Sequence, residues 1–185
     1  MHKQTRRLTR AAAGLVVVDF QERLLPAMFE AQRVLQTSLR LIQGATVLGL
    51  PVFATEQYRK GLGATVPEIR AAIAGFAPME KLAFSACGAE GFVAALKARQ
   101  ISQVLLCGIE THVCVCQTCV DLLDDGFSVF VVADAVSSRT SDNNRLGLDR
   151  MRDSGAVIVS VEMALLELLG AAGTAEFKQI LGLIK

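Results

Sequence analysis

At 185 residues the chain is long enough for one sizeable core and too short for two ordinary ones, so a single domain spanning residues 1–185 is predicted. Apolar residues make up 52% and charged residues 20%, enough burial to offset chain entropy, which excludes a disordered protein. Nineteen Lys plus Arg against eighteen Asp plus Glu leave a net charge of +1, so neither nucleic acid nor an anionic membrane is expected as a partner.

In chain order, Met1 to Arg10 carries Lys3, Arg6, Arg7 and Arg10 without an acid. A solvated N-terminus is the plain reading and a weak organelle-targeting stretch the other. The apolar run from Ala11 to Val18 stops at Asp19, far short of the roughly 20 residues that span a bilayer. Leu15 to Val18 within it reads as a strand buried on both faces. Val34, Leu41, Ala45 and Leu48 then line one stripe at helical spacing, with Gly49 near the stop.

Val52 to Ala54 predicts the second strand. Between Gly61 and Ala89 the period blurs around Pro67 and Pro78, and a short strand is placed near Met79 to Leu82. Phe92, Ala95 and Leu96 mark a helix and Val104 to Cys107 a strand. Val115, Cys119 and Leu122 mark a helix ending before Gly126, and Val129 to Val132 a strand. A helix with Leu148 and Met151 ends before Gly155, and Val157 to Val159 closes the sheet. Ser160 is positioned to cap a helix ending at Gly170, and Phe177, Ile180, Leu181 and Ile184 stripe a last one. Alternation of this kind specifies an α/β fold: a three-layer αβα sandwich on a mostly parallel, Rossmann-like sheet of about six strands.

Open parallel sheets bind ligands beyond the carboxyl ends of their strands. There the chain places Asp19, then Glu56 and Gln57, then Gly108 to Cys114, then Asp134 and Arg139. A lone Asp in such a place is as often a helix cap as a catalyst; several loops contributing together favour a site. The loop Gly108-Ile109-Glu110-Thr111-His112-Val113-Cys114-Val115 leads from a buried strand into a helix. A first-turn position for Cys114 predicts a lowered thiol pKa and a competent nucleophile.

Cys116 and Cys119 form a C-x-x-C, but inside the helix, which favours core packing over redox chemistry; as metal ligands they diverge from Cys114. Cys87 and Cys107 are read as structural. Five Cys without a secretory signal predict reduced thiols in a cytoplasmic compartment. His2 lies in the tail and His112 stands two residues before Cys114, so a Cys–His dyad is disfavoured. The base is then a carboxylate, with Asp19 the natural choice if a cation compensates its charge.

Val17-Val18-Asp19-Phe20-Gln21, Lys81, and Gly108 to Val115 together resemble the isochorismatase-like cysteine hydrolases over nearly the whole chain. Thr55-Glu56-Gln57-Tyr58, Lys60-Gly61-Leu62-Gly63 and Val132 to Arg139 are similar to the metal-free isochorismatase-domain-containing proteins. The resemblance implies a triad of Asp19, Lys81 and Cys114 in which Asp19 takes the thiol proton, Lys81 holds Asp19, and Cys114 attacks a small amide to give a thioester. It also implies a cis peptide at Ile109–Glu110 and an oxyanion hole from the backbone N–H groups of Glu110 and Cys114. The pocket it implies is walled by Phe20, Gln21, Leu24, Tyr58, Phe84 and His112.

Relatives that hydrolyse nicotinamide carry an Asp and several His after the second strand, where this chain has Glu56-Gln57-Tyr58. No metal and no cofactor are therefore expected. The resemblance further implies a small-molecule substrate and a homo-oligomer. A catalytically silent binding or scaffolding protein on the same fold is the alternative.

Overall fold

The computed structural model describes residues 7–185. His2 and most of the basic N-terminal stretch lie outside the described residues. Six strands form one sheet: β1 (Ala13–Val18), β2 (Val52–Gln57), β3 (Met79–Lys81), β4 (Gln103–Ile109), β5 (Ser128–Ser137) and β6 (Val157–Val159). Their order is β3-β2-β1-β4-β5-β6 and every pairing is parallel. The expected α/β sandwich is therefore what forms, with the sheet wholly parallel.

The continuous apolar strands divide their side chains by the period of two. Leu15 and Val17 of β1, Leu105 and Cys107 of β4, and Phe130 and Val132 of β5 join one core. Helices α1 (Ala31–Val47), α3 (Pro67–Ala72), α7 (Val161–Leu169) and α8 (Ala175–Ile184) supply Leu41, Ile69, Leu165 and Ile180 to it. Val16 and Val18, Val104 and Leu106, Val129 and Val131 face the other core. It is covered by α4 (Phe92–Ala98), α5 (Cys116–Asp124) and α6 (Ser141–Asp153) through Phe92, Leu96, Cys119, Leu122 and Met151. Burying each such Val, Leu or Phe contributes about 1.5–3 kcal/mol, so a central Leu105→Ala costs about 2–5 kcal/mol.

The expected cap at Ser160 is present, its Oγ accepting from the Met163 N–H, and Thr140 and Thr174 cap α6 and α8 the same way. The weak strand near Met79 is β3. The short helices α2 (Arg59–Leu62) and α3 fill the stretch whose period was blurred. No helix among the described residues is long and apolar enough to cross a membrane.

Candidate functional site

Register puts the carboxyl ends of the central strands side by side. Val18 stands opposite Thr55 of β2 and Gly108 of β4, and Gln57 opposite Lys81 of β3. The three residues that follow β1, β2 and β4, namely Asp19 (φ 57°), Tyr58 (φ 36°) and Glu110 (φ 62°), are all left-handed. Non-glycine residues in that region cost on the order of 1–3 kcal/mol each and persist where the surroundings over-determine them. Here they turn three neighbouring strand ends sharply at one edge.

Asp19, Lys81 and Cys114 meet there. β2 lies between β1 and β3, so Lys81 must extend across it, and Nζ reaches Asp19 Oδ2 at 2.6 Å with both side chains closed off from solvent. Nζ also donates to Gln57 Oε1 at 2.8 Å and to the Phe84 carbonyl at 2.9 Å. The other Asp19 oxygen accepts from Thr55 Oγ1 at 2.7 Å. A buried ion pair needs such additional hydrogen bonds to offset desolvation.

Cys114 sits in a wide, π-helical turn, Thr111–Val115, that precedes α5. Single π-helical turns are frequent at functional sites. The expected lowering of its thiol pKa is overturned: the thiol is pushed up from 9.0 to about 12, chiefly by burial, then by the negative charge of Asp19. Lys81 opposes this, while a hydrogen bond to Asp19 and the negative charge of Glu110 both favour the protonated thiol. Burial outweighs the helix N-terminus because the thiol is screened from water while the helix field falls off within a turn. The site therefore rests as a thiol beside a carboxylate.

No peptide bond among the described residues is cis, so the bond implied at Ile109–Glu110 is trans. The left-handed Glu110 makes the turn instead, two residues after Gly108 (φ 150°). A Cβ on Gly108 would lie 2.6 Å from the Val18 carbonyl oxygen, which keeps β4 and β1 in close approach.

The implied pocket residues divide. Phe20 is 1% exposed and belongs to the core beneath α1, with no face left for a ligand. Gln21 is buried too: its amide donates to the carbonyls of Gln57 and Gly63 and accepts from the Gln57 N–H, which ties the loops together. Leu24 packs at the margin of that core. Tyr58 and Phe84, at 51% and 54%, are exposed beside the Lys81 loop, as is Leu82. His112 is half-buried in the same turn as Cys114, its ring on Ser138.

Asp134 goes elsewhere, accepting the Val161 N–H at the start of α7. Arg139 reaches Glu110, Nε and Nη2 each 3.2 Å from a carboxylate oxygen. Glu56 Oε1 accepts from both the N–H and Oγ1 of Thr65. Its Oε2 lies 3.2 Å from Arg59 Nη1, at ion-pair distance without hydrogen-bond alignment. No three His, Cys, Asp or Glu among the described residues converge as metal ligands do. All five Cys are free thiols, and burial raises Cys119 to about 12 and Cys87 to about 11.

Sequence reasoning missed four supports. Thr118 Oγ1 donates to the Cys114 carbonyl at 2.6 Å and accepts from the Ala86 N–H at 2.8 Å. Asn144 of α6 bonds Thr111 at 2.6 Å, Gly147 lets α6 close on the backbone of His112, and Ser138 holds the His112 ring. The four-residue step from Cys114 to Thr118 was the one signal available for them.

Residues 13–163 match the family model described as the isochorismatase domain. The chain is 44% identical to the secreted isochorismatase effector Isc1 of Phytophthora sojae, covering 99% of this chain and 89% of that protein. It is 40% identical to isochorismatase domain-containing protein 2 of Danio rerio, covering 94% and 87%. Among solved structures it superimposes on the MAR1 ribonuclease of Caenorhabditis elegans with a TM-score of 0.90 at 38% identity, covering 96% and 92%. It superimposes equally, with a TM-score of 0.90 at 27% identity and 98% and 92% coverage, on the YcaC gene product of Escherichia coli, described as an octameric hydrolase of unknown specificity.

Proposed function

The chain belongs to the isochorismatase family, and from that premise we propose that it is a metal-independent cysteine hydrolase of small amide-like substrates, with Asp19, Lys81 and Cys114 as its triad. The observation that carries the reading is the Lys81–Asp19 ion pair, held at 2.6 Å and closed off from water, with its carboxylate against the Cys114 thiol.

The raised thiol pKa fits a concerted opening step. The Cys114 proton passes to Asp19 as sulfur attacks the amide carbon, so no free thiolate need accumulate. The proton then passes from Asp19 to the departing nitrogen as the C–N bond breaks, leaving a thioester and free amine or ammonia. Asp19 next accepts a proton from water attacking the thioester; the acid departs and sulfur recovers its hydrogen. Lys81 keeps the carboxylate charge compensated throughout, and the backbone N–H groups of Glu110 and Cys114 are the proposed oxyanion donors, each such donor being worth roughly 10²- to 10³-fold.

The octameric bacterial neighbour and the exposed Tyr58, Leu82 and Phe84 support a homo-oligomer. The five free thiols support a reducing, cytoplasmic compartment, although the oomycete relative is named a secreted effector. The worm neighbour is named a ribonuclease; a net charge of +1 supplies no general attraction for a polyphosphate. A silent binding protein is the second reading, favoured by the thiol raised to about 12.

Wild type and Cys114→Ala tested on a panel of small amides, esters, vinyl ethers and an RNA oligonucleotide separate these readings. Amide turnover lost in Cys114→Ala, with an acyl adduct on Cys114 by intact mass, is the expected result. Turnover that survives the substitution excludes nucleophilic catalysis, and no turnover on any class favours the silent reading.

A further inference from the structure

Two polar contacts join Ser138 to residue 112, one to its backbone N–H and one to its imidazole ring. Ser138 directly follows β5 and is fully buried, while Ile109 at the end of β4 pairs with Ser137. The Ser138 Oγ therefore lies across from the start of the nucleophile turn. It accepts from the His112 backbone N–H at 3.4 Å and stands 2.9 Å from His112 Nδ1.

The hydroxyl owns one hydrogen and can accept two. With the amide N–H already received, Nδ1 is the acceptor available to that hydrogen among the contacts of the described residues. Protonation at Nδ1 would leave the hydroxyl hydrogen unpaired in a buried setting, where polar groups are nearly always satisfied. One edge of the ring is spent on Ser138, and His112 is half-buried in the Thr111–Val115 turn that also holds Cys114.

We propose that Ser138 donates to Nδ1 and holds neutral His112 as its Nε2–H tautomer. The ring then serves as a hydrogen-bond donor at the mouth of the Cys114 turn, selecting amides with an oxygen acceptor next to the scissile carbonyl. Ser138 is a positioning residue. The second half of the proposal rests on the hydrolase reading; the tautomer does not. Asp19 already serves the thiol proton, which frees His112 from acid–base work. A neutral N–H complements a lone pair and discriminates against a methylene in the same place.

The test uses nitrogen NMR of the full-length protein, kept well above the ordinary imidazole pKa of about 6.5. The sequence has two His, so His112→Gln identifies the ring of interest. Expected are a protonated Nε2 and an Nδ1 shift typical of a hydrogen-bonded bare nitrogen, the latter moving toward that of free imidazole in Ser138→Ala. A proton on Nδ1, or an unchanged Nδ1 in Ser138→Ala, overturns the proposal. Binding is read in Cys114→Ala with pyruvamide and propanamide, which differ by a keto oxygen in place of a methylene. Pyruvamide should bind about tenfold more tightly or better and move the Nε2 resonance. Adding His112→Ala should bring the two amides within about twofold, and His112→Gln, whose amide N–H reaches toward the same place, should restore part of the preference. Equal binding, or no binding of either amide, overturns the donor role. Failure of the hydrolase reading shows separately, as a Cys114 that no substrate acylates while the tautomer stands.

Discussion

Lys81 Nζ and Asp19 Oδ2 lie 2.6 Å apart, and neither side chain touches solvent. Removing one partner strands the other charge, a loss that typically costs about 3–5 kcal/mol, whereas removing both restores neutrality. Lys81→Met should therefore destabilise strongly in denaturant unfolding, and adding Asp19→Asn should recover much of the loss. Strictly additive penalties would show that the pair is not coupled in the folded protein.

Asp19 both raises the thiol pKa and is proposed to take its proton, so one substitution should move reactivity and turnover in opposite directions. In wild type the folded thiol stands at about 12 against an ordinary 9.0. Its neutral form thus contributes stability that is complete below pH 9 and is lost as the pH rises through about 12. Asp19→Asn removes a negative charge and the hydrogen bond to the thiol while Lys81 remains. Alkylation of Cys114 by iodoacetamide should then begin at lower pH, with half-buried Cys87 as internal standard, while amide turnover falls about 10²- to 10⁴-fold. A thiol that alkylates no faster in the variant contradicts the assigned cause of the raised pKa.

The sheet was legible because parallel strands buried on both faces must be apolar at every position, as Leu15 to Val18 and Val129 to Val132 are. Asp19, Lys81 and Cys114 stood out through family motifs, and their convergence follows from a strand order that no local pattern encodes. The thiol pKa was misjudged for the same reason: its causes are burial and Asp19, a residue 95 positions away along the chain. The π-helical turn at Thr111–Val115 breaks the 3.6-residue period, so the start of α5 was placed too early. Phe20 and Gln21 follow Asp19 in the motif, but after the left-handed turn at Asp19 Phe20 lies in the core and the buried Gln21 amide is spent on Gln57 and Gly63.

Gly147 lets α6 approach the turn that carries Cys114. A Cβ there would stand 2.9 Å from the Cα and N of His112 and 3.0 Å from the Thr111 carbonyl carbon, all backbone atoms with little room to give. Gly147→Ala should cost about 1–3 kcal/mol by overpacking and lower turnover by displacing the turn. Gly182 in α8 is the control, because its Cβ would meet nothing within 4 Å. Gly182→Ala should stabilise by about 0.4–1 kcal/mol, raising the melting temperature with turnover unchanged. If both variants behave alike, the close approach at Gly147 has no consequence.

Thr118 connects the two halves of the proposed triad mechanically. Its Oγ1 donates to the Cys114 carbonyl at 2.6 Å and accepts from the Ala86 N–H at 2.8 Å, while Lys81 Nζ donates to the carbonyl of Phe84 in the same loop. One hydroxyl therefore couples the turn bearing the thiol to the loop gripped by the lysine. Thr118→Val preserves shape, takes the side-chain donor from the Cys114 carbonyl and leaves the buried Ala86 N–H without its partner, at about 1–3 kcal/mol. Thr118→Ser keeps the hydroxyl and loses only a methyl. The valine variant should unfold at lower denaturant and turn over more slowly, with kcat reduced more than KM is raised. The serine variant should retain most of both properties. A valine variant that keeps wild-type stability and turnover while the serine variant loses both would assign the effect to the methyl contacts and remove the hydroxyl from the account.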